Sequence, residues 1–393
     1  TFGVELAFSE MLHTLVLEYV PFLLLLLSLF TISGGIRLKG SLNGTPLLNT
    51  GLIALGTVCA SLMGTTGASM LFIRPLLKAN EHRKHKIHTV IFFIFLVANI
   101  GGSLTPLGDP PLFLGFLNGV DFFWTTTHLF MEMLFLSVTL LTLYFLLDTR
   151  QYAKEGRPTK PQEAQAEPEA LGIEGGINFL LLIGVVGAVL LSGVWNPDTE
   201  IPFFHLHLKL QDMARDGLLL ALAGVSLLVT TKQTRDLNGF SWEPIAEVAK
   251  LFFGIFISMI PAIAILRAGT NGDLRSVIAL VSHNGQPVNN MYFWMSGLLS
   301  SFLDNAPTYL VFFNTAGGDA QMLMQEAPKT LAAISCGAVF MGANSYIGNA
   351  PNFMVRSIAE SQGVQMPSFV GYMAWSLCIL VPLFFLTSLI FFL

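Results

Sequence analysis

Charge is what this sequence has least of. Lysine, arginine, aspartate and glutamate together make up 11% of its 393 residues, where about 25% is usual for a soluble domain. That scarcity excludes a soluble enzyme and a nucleic-acid binder. Cysteine is scarcer still. Cys59, Cys336 and Cys378 lie in apolar stretches without metal-ligand spacing, which excludes a secreted disulfide scaffold and reads as three core residues. The formal charge of -5 is too small to imply a charged partner. Alternating polar residues are missing from the long apolar runs, which excludes a β-barrel. Hydrocarbon is what the chain has instead: 53% hydrophobic residues and 33 Phe, with a mean hydropathy of +0.65. The uncharged runs Gly40–Ile73, Gly175–Pro197 and Ser361–Leu393 exceed the roughly 20 residues a helix needs to cross about 30 Å of hydrocarbon. The expected fold is an all-α polytopic membrane protein. Because the chain starts at Thr1 and not at methionine, a preceding N-terminal segment is expected.

The apolar segments follow an order that repeats. Residues 1–147 contain a crossing at 17–36, a segment at 51–78 interrupted at Gly64-Thr65-Thr66-Gly67, a crossing at 86–117 interrupted at Ser103–Pro111, and a crossing at 126–147. A polar, Pro- and Glu-rich linker at 148–175 and two connecting helices within 176–243 follow. Residues 200–211 alternate apolar and polar and read as a strand or an interfacial segment. Residues 244–393 return to the first pattern: a helix, an interrupted segment at 291–316, a broken crossing at 329–361 and a helix at 366–393. Thr105-Pro-Leu-Gly108-Asp109-Pro-Pro111 aligns with Ser345-Tyr-Ile-Gly348-Asn349-Ala-Pro351 at an offset of 240, and Gly67–Met70 with Ala306–Tyr309 at 239.

Each interrupted segment is read as a re-entrant helical hairpin. Gly51–Met63 spans about 20 Å as helix, short of the membrane but past its midplane, and the tip is tolerable where protein or water buries it. Basic residues test this topology. It puts twelve on one face, including Arg37, Lys39, Lys78, Arg83, Lys84 and Lys86, and five on the other: Lys209, Arg215, Arg267, Arg275 and Lys329. The richer face is expected to be cytoplasmic. Five crossings separate corresponding elements, so the repeats are expected to be inverted.

Inverted repeats with broken helices point to a transporter site at the midplane. The four breaks supply Thr65, Thr66, Ser69, Thr105, Asp109, Asp304, Asn305, Thr308, Asn344, Ser345 and Asn349. These are hard oxygen ligands, which suit sodium or lithium and not a transition metal. Asp109 and Asp304 stand out, because ionisable groups at membrane depth are costly and usually functional. Helix capping competes as an explanation, since Asp before Pro is a good N-cap. Other charges mean less. Glu243, Glu247 and Lys250 read as solvated, Arg74, Lys78 and Arg356 as snorkelling, and His82–His88 as a basic cytoplasmic loop.

At these residues the chain resembles the ion-transporter superfamily, which includes NhaD-type sodium/proton antiporters, arsenite permeases, and citrate or dicarboxylate transporters. Asn99-Ile-Gly-Gly-Ser-Leu-Thr-Pro-Leu-Gly-Asp109-Pro-Pro111 looks like the broken-helix motif of the antiporter and arsenite branches, and Leu303-Asp-Asn-Ala-Pro-Thr308 like their second hairpin tip. The resemblance covers about residues 17–390. It implies a scaffold domain, a transport domain of hairpins and broken helices, elevator-type movement and a homodimer. Dicarboxylate members carry Ser-Asn-Thr at both hairpin tips, and this chain does not.

The function expected from these features is secondary active transport in a cell (inner) membrane, most directly sodium- or lithium-for-proton antiport through Asp109 and Asp304. The alternatives are sodium- or proton-coupled citrate or carboxylate symport, and arsenite efflux. An aspartyl protease is disfavoured because Pro106 stands where its Gly-x-Gly-Asp signature needs glycine, and a passive channel because opposed hairpins close a site from both sides. The expected partners are inorganic cations, protons and membrane lipids, with no nucleic acid and no cofactor beyond the transported ions.

Overall fold

The computed structural model describes residues 4–40, 42–158, 172–267, 279–283 and 286–393. Lys160, Arg275 and the linker stretch 159–171 lie outside the described residues. Apolar runs free of charge propagate helix, and in hydrocarbon a helix satisfies its own backbone. Among the described residues seven helices are long and apolar enough to cross a membrane: Ala7–Ser33, Pro46–Met63, Ile87–Leu104, Trp124–Lys154, Ile177–Val194, Glu243–Ile265 and Phe369–Phe392. The chain is a multi-pass, mostly α-helical membrane protein.

Pro46–Met63 and Thr65–Ala79 form a helical hairpin. The turn is Gly64, whose φ of +80° suits a residue without Cβ. At the base the Gly44 amide donates to the Ala79 carbonyl at 2.8 Å, and the side-chain amides of Asn49 and Asn80 bond each other at 2.9 and 2.8 Å. The chain therefore returns to the level from which it set out. The first arm is longer than the sequence reading gave. Thr45 accepts from the Leu48 amide and Pro46 opens the helix, so the arm has 18 residues, about 27 Å, a length that would cross a membrane if the chain did not fold back. Asn289–Ser300 and Asn305–Thr315 form a second hairpin. The Tyr292 and Phe312 rings, near its two open ends, lie 6.4 Å apart.

Two broken helices run through the middle. The first is Ile87–Leu96, a 3-10 turn at Ile100–Leu104 and, after an extended stretch, Pro110–Leu117. The second is Pro328–Met341, a 3-10 turn at Gly342–Asn344 and Ala350–Ser361. At each break the backbone passes so close to itself that only glycine fits. A Cβ on Gly108 would collide with the Gly102 carbonyl, and one on Gly348 with the Gly342 carbonyl. Ile87–Leu104 is 89% buried, while the other six candidate spans are 44% buried or less. The core is centred on the broken helices, and the remaining helices turn large apolar side chains such as Leu180, Ile183 and Leu228 outward, where lipid can cover them.

Three features differ from the sequence reading. The helix Trp124–Lys154 runs seven residues into the expected linker, because Asp148 is buried and bonded inside. Arg215, counted with the outer loops, lies in the helix Leu210–Val229, buried and paired with Asp212 and Asp216 at 2.9 Å. Cys378 is exposed, on the helix Phe369–Thr387. Of the two readings given for 200–211, the strand is the one found, as a pair of Glu200–Phe203 with Leu206–Lys209. A second pair joins Arg37–Lys39 to Gly172–Glu174 in antiparallel register.

Candidate functional site

The two hairpin tips and the two breaks meet at Asp109. Its carboxylate is 1% exposed and takes a hydrogen bond from each of three other elements. The Thr65 hydroxyl of the first hairpin donates to Oδ1 at 2.9 Å, and the Asn349 amide of the second broken helix to the same oxygen at 3.1 Å. The Asn305 amide of the second hairpin donates to Oδ2. All three donors are neutral. Among the described residues no basic side chain pairs with Asp109. Asp109 occupies the N-cap position of Pro110–Leu117 but makes no side-chain cap bond, so capping does not explain it.

Asp304 is different. It caps Asn305–Thr315, accepting from the Ala306 amide at 3.1 Å, and it is half-buried. Thr308 sits one turn on, its hydroxyl on the Asp304 carbonyl at 3.0 Å. Asp109 and Asp304 do not hydrogen-bond each other, but both line one cavity of about 880 Å³. Thr66, half-buried, lines it too, with Phe22 and Leu29 from the first helix and Ile245 and Val248 from Glu243–Arg267. Glu243 and Glu247, exposed as their sequence context implies, reach the same cavity. Arg74 is the one basic side chain among its described lining residues. It does not snorkel: its guanidinium donates to the Asn238 carbonyl at 2.6 Å.

The remaining candidates hold the breaks in shape, and they do so in matching pairs. The Thr105 hydroxyl donates to the Ser61 carbonyl, and the Ser345 hydroxyl to the Ser301 carbonyl. The Ser61 hydroxyl donates to the Gly101 carbonyl, and the Ser301 hydroxyl to the Met341 carbonyl. Thr105 and Ser345 accept from the Leu107 and Ile347 amides, each at 3.2 Å. Every pair is offset by 240 residues. The same offset pairs Thr65 with Asn305, the two tip residues that bond Asp109, one residue away from the offset read at the tips from sequence. Asn344 donates to the Ser301 hydroxyl at 2.9 Å.

Sequence reasoning missed the amide chain behind Asp109. Asn349 also donates to Asn99 Oδ1 at 3.2 Å, and Asn99 donates to Asn352 Oδ1 at 2.7 Å. Asn352 donates to the Gly342 and Ser345 carbonyls at 2.8 and 2.9 Å. Both missed residues lie just outside the Gly/Pro-marked break limits. A scan for any buried-phase amide within one turn of a break would have found them. Three of the candidate residues carry a buried oxygen without a hydrogen-bond partner: Asn305 Oδ1, Asn344 Oδ1 and Ser69 Oγ. They add hard-oxygen acceptors of the kind an alkali cation takes. Among the described residues no group of three or more His, Cys, Asp or Glu side chains is placed to hold a metal ion.

A separate buried cluster ties the base of the first hairpin to the end of Trp124–Lys154. Asp148 forms an ion pair with Arg83 at 2.8 Å and hydrogen bonds with His88 at 2.9 Å and Asn49 at 3.0 Å. Within the expected basic loop, Arg83 and His88 are therefore buried, while Lys84, His85 and Ile87 are exposed.

Against known proteins, a family model described as "Putative citrate transport" matches residues 1–392, and the chain belongs to that family. Comparison with curated proteins returns no match.

Proposed function

We propose that this member of a citrate transport family is a secondary active transporter that carries a citrate-like carboxylate together with a cation held at Asp109. The observation that carries the proposal is the environment of that carboxylate, buried where hairpin tips and broken helices converge and bonded only by neutral donors. Burying an ionised carboxylate costs several kcal/mol. Hydrogen bonds to a charged group each return about 1.5–3 kcal/mol, and a cation entering beside Asn305 Oδ1 would supply the rest. A carboxylate has about four acceptor positions and three are used here. The family match across residues 1–392 supports carboxylate as the co-substrate.

The hydrogen bonds repeated at 240 residues support two structural repeats, and the odd number of crossings between them supports inverted orientation. In this reading the hairpins and broken helices move together against the remaining helices, and the basic face is cytoplasmic. A second reading, sodium- or lithium-for-proton exchange without an organic anion, is favoured by one observation: four acidic side chains, Asp109, Asp304, Glu243 and Glu247, and a single basic one are among the described residues lining the cavity, which disfavours an anion at the tips. Purified protein in liposomes separates the two. The first reading expects labelled citrate to accumulate on an inward sodium or proton gradient. The second expects sodium alone to discharge a pH gradient, with no citrate uptake.

A further inference from the structure

A second cavity, of about 750 Å³, opens beside the first on the basic side of the molecule. Five basic side chains line it, Arg37, Lys39, Arg74, Lys78 and Lys86, against one acidic side chain, Glu81. Glu174 stands behind two of them, 3.0 Å from Arg37 and 3.4 Å from Lys39. Arg74 lines this cavity and the central one as well. The wall between them is a contact between two parts of the chain. Arg74 belongs to the second arm of the first hairpin, and its acceptor, the Asn238 carbonyl, is anchored elsewhere. The Asn238 amide donates to the Gly34 and Ile36 carbonyls at 3.1 and 3.0 Å, just past the end of Val20–Ser33. Next to it Gly239, at φ +63°, passes so close that a Cβ there would strike the Arg74 guanidinium.

Resting on the carboxylate reading above, we propose that the basic cavity is an access site for a multivalent carboxylate, and that Arg74 is the residue that receives it, exchanging the Asn238 carbonyl for a substrate carboxylate. A cavity lined by one sign of charge concentrates counter-ions and speeds their arrival. The Asn238 carbonyl is a neutral acceptor of one bond from Arg74; a carboxylate offers the planar Arg fork two parallel hydrogen bonds and an opposite charge. The incoming anion therefore outcompetes Asn238, frees the hairpin arm from the Gly34–Asn238 segment, and stands at the mouth of the Asp109 cavity. Substrate arrival and release of the hairpin become one event.

The test is the initial rate of citrate uptake, in liposomes of neutral lipid, over a range of citrate and salt. Wild type should lose rate at subsaturating citrate as salt rises. Arg74→Gln should raise KM tenfold or more. Arg74→Lys, which keeps the charge but not the planar fork, should give an intermediate KM, and that recovery separates loss of charge from misfolding. Should Arg74→Gln fail to fold, Lys86→Gln carries the test, with a raised KM and a shallower salt dependence expected. Wild-type uptake with an unchanged KM in the variants overturns this proposal alone. A KM effect seen only when anionic lipid is present assigns the cavity to a lipid headgroup and also overturns it. Wild-type protein that moves no carboxylate overturns both this proposal and the reading it rests on.

Discussion

The side-chain amide of Asn305 donates to the carboxylate of Asp109, joining positions 196 residues apart in sequence. Asn305 lies just past the turn of one hairpin, and Asp109 lies at the break of a helix in the other half of the chain. Thr65, the residue matching Asn305 at an offset of 240, approaches the same carboxylate from the opposite hairpin at 2.9 Å. The pseudo-equivalent tips thus converge on a single acid, whose own counterpart at 240 is the neutral Asn349. One half supplies the charge and the other supplies amides to hold it. That asymmetry within a repeated frame distinguishes Asp109 from Asp304.

Asp304→Asn should be mild. Asparagine caps a helix as well as aspartate does, so the bond from the Ala306 amide survives, and a half-buried carboxylate is removed from the cavity wall. We expect near-wild-type thermal stability and a change in apparent citrate KM of no more than about tenfold, equivalent to 1.4 kcal/mol. Complete loss of uptake would give Asp304 an equal share in the site.

Asp148→Asn should damage stability and spare transport per folded molecule. The substitution takes from Arg83, fully buried as a side chain, the nearer of its two carboxylate partners and leaves it Glu155 at 3.4 Å, so the cost stays at or below about 3 kcal/mol, the lower end for a buried charge left unpaired. Thermal unfolding in detergent should shift down by several degrees while the cation dependence of uptake stays that of wild type. A shifted cation dependence would place the cluster in the transport cycle.

The strand pair at the basic face should open in acid. The hydrogen bond from Arg37 holds the Glu174 carboxyl below its ordinary value of 4.5. A depressed acid stabilises the folded form above that ordinary value and loses its contribution as pH falls through the lowered one. Hydrogen exchange at Arg37–Lys39 and Gly172–Glu174 should therefore be slower in wild type than in Glu174→Gln at about pH 6, with the difference shrinking as pH is taken down below 4.5. A difference that does not shrink below that pH would mean the ion pair is not what closes the strands.

Much of this site can be read from the sequence, because breaking a helix in hydrocarbon requires Gly, Pro and small polar residues, and these mark their own positions. Gly64, Gly108-Asp109-Pro110 and Asp304-Asn305 each stand at a turn or break. Which oxygen meets which is not legible locally. Nothing near Asp109 announces that its partners are Thr65, Asn305 and Asn349, or that Asn99 and Asn352 support them, because those contacts depend on how distant elements pack. Asp148 was obscured for the same reason: beside a Pro- and Glu-rich stretch an acid reads as linker, and only its packing against Arg83 and His88 reveals a buried charge. The start of the first hairpin arm was missed because Asn49-Thr50-Gly51 reads as loop, whereas Thr45 and Pro46 open the helix before it.

The most direct test of the account is labelled-citrate uptake by purified wild type and Asp109→Asn in liposomes, each with and without an imposed inward gradient of sodium and then of protons. Asparagine keeps the size of the side chain and removes its charge. The account predicts that wild-type uptake rises steeply with one of the two gradients, and that Asp109→Asn, folded and of near-normal thermal stability, loses that dependence and at least about 99% of the driven uptake. Gradient-driven uptake retained in Asp109→Asn would contradict it.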